Sequence, residues 1–228
     1  MEVEKKHMCF KHPFTCIMAG PTSSGKTVLM RRILKNYKNT IYFKKNIPQK
    51  LKVLWAYGQM QGLYNEKVES CDIEYIEGLP TEDDIKEIKP HILIIDDLMT
   101  ELASDKKLSN LFTKGSHHMN ISVVFISQNI FPQGSQMRNI SLNAQYMLLL
   151  KNPRDKEQIC ALAKQIFPNN SRFLIDAYND ATANEYGYIR LDLRQDTPDK
   201  FRIQTRITPE ELPAGCKYSL SPICYYQK

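Results

Sequence analysis

Long apolar runs are missing from this chain of 228 residues. None approaches the roughly 20 residues that a membrane-spanning helix needs. Residues 1–6, Met-Glu-Val-Glu-Lys-Lys, carry no apolar core of a secretory leader. The chain is therefore expected in an intracellular space, with no membrane partner. Paired cysteines are missing too. Cys9, Cys16, Cys71, Cys160, Cys216 and Cys224 are scattered with no C-x-x-C, which argues against a disulfide framework and fits reduced thiols. His7, Cys9, His12 and Cys16 come nearest to a zinc-ligand spacing, but Cys16 falls in an apolar run where a small buried side chain is the simpler account. Internal repeats, low-complexity tracts and linkers are absent as well. Residues 1–212 therefore read as one domain, large enough to bury an α/β core, and 213–228 as a partly ordered tail.

What the chain does have is a complete G-x-x-x-x-G-K-[ST] match: Gly20, Pro21, Thr22, Ser23, Ser24, Gly25, Lys26 and Thr27. The residues before it, 14–19 (Phe-Thr-Cys-Ile-Met-Ala), read as a buried strand. Those after it, Val28 to Leu34, can continue as a helix. Strand, glycine-bounded loop and helix in that order are the context that a phosphate-binding P-loop requires. Backbone N–H groups of such a loop surround phosphate oxygens, and the helix N-terminus adds partial positive charge. Lys26 is expected on the β- and γ-phosphates, and the Thr27 hydroxyl on Mg²⁺. The implied ligands are ATP and Mg²⁺.

Strand signals recur along the chain: Lys38–Phe43, Leu51–Tyr57, Ile73–Ile76, His91–Ile95, Ser122–Ser127 and Gln145–Leu150. The near-continuous apolar run in His91–Ile95 predicts a central strand buried on both faces. Thr81 followed by Glu82-Asp83-Asp84 predicts a capped helix start. Further helices are expected over Glu101–Thr113, Lys156–Gln165 and Ser171–Asn184. Tyr186–Leu193 and Phe201–Ile207 are expected as a C-terminal hairpin. Alternating strands and helices predict a P-loop NTPase fold, an α/β protein with a mostly parallel sheet flanked by helices.

Two more signals join the loop. Asp96-Asp97 closes the His91–Ile95 run, about 70 residues after Lys26, at the strand end where a parallel sheet presents its ligand crevice. Asp96 is placed to hold Mg²⁺ beside Thr27. Asp97 is placed to orient or deprotonate the attacking water, with Glu101 in reserve. A second acid directly after the metal-side aspartate is expected in hydrolysing motors, where Glu is the usual residue; Asp97 is shorter. The run Phe125-Ile126-Ser127 then ends in Gln128-Asn129, a polar strand tip suited to sensing a γ-phosphate.

The blocks Gly20–Thr27, Asp96-Asp97-Leu98-Met99, residues 111–118 (Leu-Phe-Thr-Lys-Gly-Ser-His-His), Ser127–Phe131, Arg138–Ala144 and Lys151–Asp155 together resemble the genome-packaging ATPases of Polinton/Maverick elements and adintoviruses. These are relatives of the poxvirus packaging ATPases in the FtsK/HerA superfamily. The resemblance runs from about His12 to Ile207. It implies an oligomeric ring, built of copies of one chain, that moves double-stranded DNA into a capsid at the site of virion assembly in nucleus or cytoplasm. Capsid proteins are then expected partners, and association with the virion is implied. It also implies an arginine reaching the γ-phosphate of a neighbouring subunit, with Arg138 first, Arg154 second and Arg172 third. Lys114, His117 and His118 form one candidate DNA-facing set. Lys44, Lys45, Arg31 and Arg32 form another, within a basic stretch of a chain whose net charge is +6. Contacts of that kind read phosphate, not sequence. His117-His118 has no assigned chemistry.

Two other readings stay open from the loop alone. A nucleotide kinase needs a mobile arginine-rich lid and an acceptor pocket, neither of which the chain shows clearly. A guanine-specific switch needs an Asn-Lys-x-Asp motif, and no such tetrapeptide occurs.

Overall fold

The computed structural model describes residues 6–98, 119–131, 135–211 and 222–226. In chain order the elements are β1 (Phe10–His12), β2 (Thr15–Ala19), α1 (Lys26–Lys35), α2 (Tyr37–Thr40), β3 (Ile41–Phe43), β4 (Leu51–Tyr57), β5 (Cys71–Glu77), α3 (Glu82–Ile88), β6 (Ile92–Asp96), β7 (Ser122–Ser127), α4 (Ser135–Asn143), β8 (Tyr146–Leu150), α5 (Glu157–Ile166), α6 (Ser171–Ala181), β9 (Tyr188–Asp192), β10 (Ile203–Thr205) and β11 (Ile223–Tyr225).

Nine strands form one sheet in the order β11-β10-β9-β8-β2-β7-β6-β4-β5. From β8 to β5 all neighbours are parallel, whereas β9, β10 and β11 are added antiparallel. The strand carrying the phosphate loop, β2, is separated from the acidic-pair strand, β6, by β7 alone. Every residue of β2, β6 and β7 is buried, as the apolar runs predict for strands covered on both faces. Alternate residues feed two cores. Ile17, Leu93 and Ile95 face α3 to α6 through Ile85, Ile140, Leu162 and Leu174. Met18, Ile92 and Ile94 face α1 and α2 through Leu29, Met30, Ile33 and Tyr37.

Some expectations shift. Lys38–Phe43 is not one strand: Tyr37–Thr40 is a helical turn. Asn39 and Thr40 donate to the Asn36 carbonyl (2.8 and 3.0 Å), and the Tyr37 hydroxyl, in a fully buried side chain, donates to the Pro48 carbonyl (2.6 Å). The Ile41–Phe43 remainder pairs with β1 in a separate two-stranded sheet. Helix α6 ends at Ala181, three residues early. Ile223–Tyr225, within the stretch read as a tail, pairs with β10. The helix expected over Glu101–Thr113 lies outside the described residues. No helix among the described residues is long and apolar enough to cross a membrane.

Candidate active site

The phosphate loop joins β2 to α1. Gly25 caps α1 in the left-handed region (φ 92°), a conformation open to glycine at little cost. No acidic residue sits in the first turn of α1, while Arg32 and Lys35 occupy its last. The positive end of the helix is therefore left uncompensated toward the loop. The Gly20 N–H donates to the Ser127 carbonyl (3.2 Å), so the loop's start is fixed to the tip of β7. Inside it, the Lys26 ammonium donates to the Gly20 and Pro21 carbonyls (2.7 and 2.8 Å). Burial lowers the Lys26 pKa, opposed by the carboxylates of Asp96 and Asp97.

The loop fits a phosphate on two counts. Ser24 Oγ is buried with no partner among the described residues, an arrangement that costs free energy unless a ligand or water supplies one. The Lys26 ammonium is held only by carbonyls of its own loop, bonds that a phosphate oxygen can replace with a charge-assisted one.

Asp96 ends β6 and Asp97 directly follows it, with different surroundings. Asp96 is 3% exposed, and its Oδ2 accepts from Tyr64 (3.0 Å) and from Trp55 Nε1 (3.3 Å). Burial raises its pKa; those two hydrogen bonds and the Lys26 charge oppose the rise. Asp97 is exposed and adopts φ 57°, which a non-glycine residue rarely takes. Its Oδ1 accepts from Gln128 Nε2 at 3.4 Å, so the acidic pair and the strand tip meet. Thr22 to Thr27, Asp96, Asp97 and Gln128 all line one cavity of about 820 Å³ at the carboxyl ends of β2, β6 and β7, where an open α/β sheet binds its ligands. Of the residues with positive φ, Ser23, Gly25, Asp97 and Tyr186 all border it; local strain concentrates where function constrains the backbone.

Four residues of this site carry no sequence signal that the motifs supplied. The β4–β5 connection puts a 3-10 turn, Gly62–Asn65, over the cavity. Its Tyr64 binds Asp96, and Gln61 just before it accepts from the Thr27 hydroxyl (3.1 Å). This connection thus touches both residues expected on Mg²⁺. Trp55 reaches Asp96 from β4. Tyr186 leans on Gly25 from the α6–β9 turn. Gly58 and Gly62, which enclose Gln61 and precede Tyr64, are the nearest thing to a clue for the first pair.

The arginines fall in three settings. Arg138 is exposed on helix α4. Arg154 is exposed in the β8–α5 connection, on the loop's side of the sheet. Arg172 is ion-paired with Asp176 one turn on (3.2 Å). Arg31 is corrected as a DNA contact: it is 8% exposed and donates to the Tyr75 hydroxyl (3.0 Å) and the Glu66 carbonyl (2.7 Å). It braces α1 against β5. Arg32 lines the cavity. Lys44 and Lys45 are exposed but follow Phe43, whose ring packs against His12 and His91 at the opposite edge of the sheet. Glu101, Lys114, His117 and His118 lie outside the described residues.

The sequence matches no protein-family model and no curated protein. Among solved structures, the fold is similar to the genome packaging NTPase B204 from Sulfolobus turreted icosahedral virus 2 in complex with ATP-gammaS. The TM-score is 0.54 at 12% identity, covering 85% of this chain and 96% of that one. The complex with AMPPCP gives 0.52 at 11%, covering 84% and 96%. B204 described as the DNA-packaging ATPase from Sulfolobus turreted icosahedral virus gives 0.54 at 12%, covering 85% and 97%. The chain has the α/β fold of these ATPases, with a large, mostly parallel sheet flanked by helices.

Proposed function

We propose that this chain hydrolyses ATP to move double-stranded DNA into a viral or virus-like capsid, working as a ring of identical subunits. The observation that carries the hydrolytic part is the convergence of the phosphate loop, Asp96, Asp97 and Gln128 on one cavity. The loop amides, Ser24 and Lys26 hold the triphosphate, and Lys26 follows charge onto the leaving oxygens. Thr27 and Asp96 would hold Mg²⁺, which when bound would supply neutralising charge for the phosphoryl groups. Asp97, exposed at the cavity wall, orients the attacking water and takes its proton. Gln128, bonded to Asp97, holds that carboxylate in position and reaches toward the γ-phosphate.

The motor part rests on the sequence blocks shared with the Polinton/Maverick and adintovirus packaging ATPases, and on the fold likeness to B204. A nucleotide kinase has no use for the Asp97–Gln128 pair beside the metal site. In a ring, an exposed arginine can stabilise transition-state charge in the neighbour's site. Arg138 is the first choice and Arg154 the second; the ion pair of Arg172 within its own helix makes it the third. The place of action is then the site of virion assembly inside the host cell, beside capsid proteins.

The test is ATP turnover with and without long duplex DNA. DNA is expected to stimulate turnover several-fold without phosphorylating any acceptor. Arg138→Ala is expected to abolish the stimulated rate, with the defect rescued in mixtures with Lys26→Ala subunits. A rate indifferent to DNA refutes the motor. A strong preference for GTP refutes the ATPase, and full activity in Arg138→Ala moves the finger to Arg154.

A further inference from the structure

The loop accounts for the phosphates, yet the cavity continues past Thr27 along the outer face of α1 to Val28 and Arg32, and across to Gln59 and Met60. Large apolar side chains are concentrated there. Val28 is 44% exposed, Met60 56% and Tyr186 66%, and all three line this one cavity. Scattered exposed apolar residues need no explanation, whereas a cluster rimming a polar cleft marks a binding surface.

Tyr186 is also held in place. It takes φ 56°, a costly conformation for an aromatic residue, kept only where the surroundings impose it. Those surroundings are the turn from Thr182 to Gly187. A Cβ at Gly187 would fall 2.5 Å from the Ala181 carbonyl oxygen, so the chain closes tightly there. The Gly187 N–H donates to the Asn184 carbonyl (3.3 Å), and the Gly187 carbonyl accepts from Lys151 N–H (2.9 Å) at the end of β8. The Lys151 ammonium donates to the Ala183 carbonyl (3.0 Å). The ring packs on Gly25, with Cδ1 3.1 Å from where a Cβ would stand. An aromatic face fixed beside Gly25, open to solvent and lining one cavity with Val28 and Met60, has the character of a stacking platform.

We propose that Tyr186, with Val28 and Met60 as flanking walls, holds the base of the nucleotide whose phosphates the loop binds. This rests on the nucleotide-site reading above. A ring face reads the π-surface that every base carries, so the platform contributes to ATP and GTP binding alike and leaves discrimination between them to other groups.

The experiment compares ATP with inorganic tripolyphosphate, which has the phosphates and no base, by titration calorimetry in Mg²⁺. Tyr186→Ala is expected to weaken ATP about tenfold or more, by the measured size of base–aromatic stacking, and to leave tripolyphosphate within about twofold. Tyr186→Phe is expected to bind ATP as wild type does. Tyr186→Gly, which accepts the left-handed backbone, repeats the alanine result and so separates loss of the ring from strain in the turn. Unchanged ATP affinity in both truncations overturns the platform, as does a parallel loss of both ligands. Failure of the site reading looks different: wild type binds neither ligand, or Lys26→Ala leaves both unchanged, and the platform falls with it.

Discussion

The two edges of the central sheet are built from similar residues to opposite ends. At the edge where the parallel strands begin, polar side chains close most of their hydrogen bonds on neighbouring strands, with His12 Nε2 left without a partner among the described residues. Ser122 Oγ accepts from Phe14 N–H (3.1 Å) and bonds His12 Nδ1 (2.8 Å). Thr15 Oγ1 donates to the Asn143 carbonyl (3.1 Å) and accepts from Gln145 N–H (3.1 Å). The Tyr146 hydroxyl accepts from Lys11 N–H (2.9 Å). At the edge where those strands end, among the described residues, Ser24 Oγ has no partner, Lys26 holds only its own loop, and Asp96 carries a carboxyl in a nearly dry site. The lower edge, where the strands begin, uses polarity to fix strands. The upper edge, where they end, keeps polarity uncommitted and toward a cavity, which costs stability and leaves groups free for a ligand.

The largest effects should separate these edges cleanly. Asp97→Asn is expected to lower ATP turnover by roughly 10² to 10⁴, the usual share of a group that handles the proton, while the melting temperature stays put because Asp97 is exposed. Ser122→Ala strips the partner from a buried N–H and from His12. It is expected to cost about 2 kcal/mol of folding stability and to leave turnover per folded molecule unchanged. Turnover measured beside thermal melts decides it; a slow, fully stable Ser122→Ala would erase the contrast.

Acid should move the lower edge next. Burial, with the nearby His91, pushes His12 down to about 4, against about 6.5 when unfolded. Below pH 6.5 the unfolded chain takes up a proton that the folded chain refuses. The share of stability that His12 carries therefore falls as pH drops from 6.5 to 4 and levels off below that, by up to about 3 kcal/mol. His12→Asn, which can still meet Ser122, is expected to flatten most of that slope in denaturant titrations. The part that remains belongs to His91, lowered by burial and by Lys52, and to His7, lowered by burial and by Lys11. A slope unchanged in His12→Asn would place the titrating group elsewhere.

The same contrast explains what could be read from the sequence. The functional edge announces itself locally: the loop is eight consecutive residues, Asp96-Asp97 ends an apolar run, and Gln128 ends another. Periodicity gave β4 and β7 their observed limits, and the capping box of Thr81 and Asp84 sits where its spacing predicts. What stayed hidden is held by contacts distant in the chain. Gln61 meets Thr27 across 34 residues and Tyr64 meets Asp96 across 32, from a short 3-10 turn with no periodicity to betray it. Tyr186 reaches Gly25 from the α6–β9 turn, far away along the chain. Arg31 and Arg32 are neighbours in one basic run, and only the packing of α1 on β5 buries the first and leaves the second at the cavity. Tyr37 turned a β-rich segment into a helical one through hydroxyl contacts that no local pattern encodes.

The smallest expected effect tests the cost of the upper edge directly. Asp96 has its pKa raised in the folded protein, chiefly by burial. A carboxyl of that kind is penalised wherever it is ionised, so at neutral pH the folded state carries a charge it would be better without, and falling pH relieves the penalty. The upper edge thus gains from acid where the lower edge loses. Asp96→Asn removes the charge and keeps an oxygen to accept from Tyr64 and Trp55. Without nucleotide or Mg²⁺ it is expected to stabilise the chain by about 1 kcal/mol, the usual gain on relaxing a functional site. That corresponds to roughly 2–4 °C in a protein of this length, and ATP turnover should be lost. Tyr64→Phe, which removes a donor and leaves the charge, is expected to shift melting the other way. If Asp96→Asn melts below wild type, the attraction between Asp96 and Lys26 outweighs the burial of the carboxylate. The uncommitted edge would then be a stabilising ion pair, opened only when nucleotide and metal take its place.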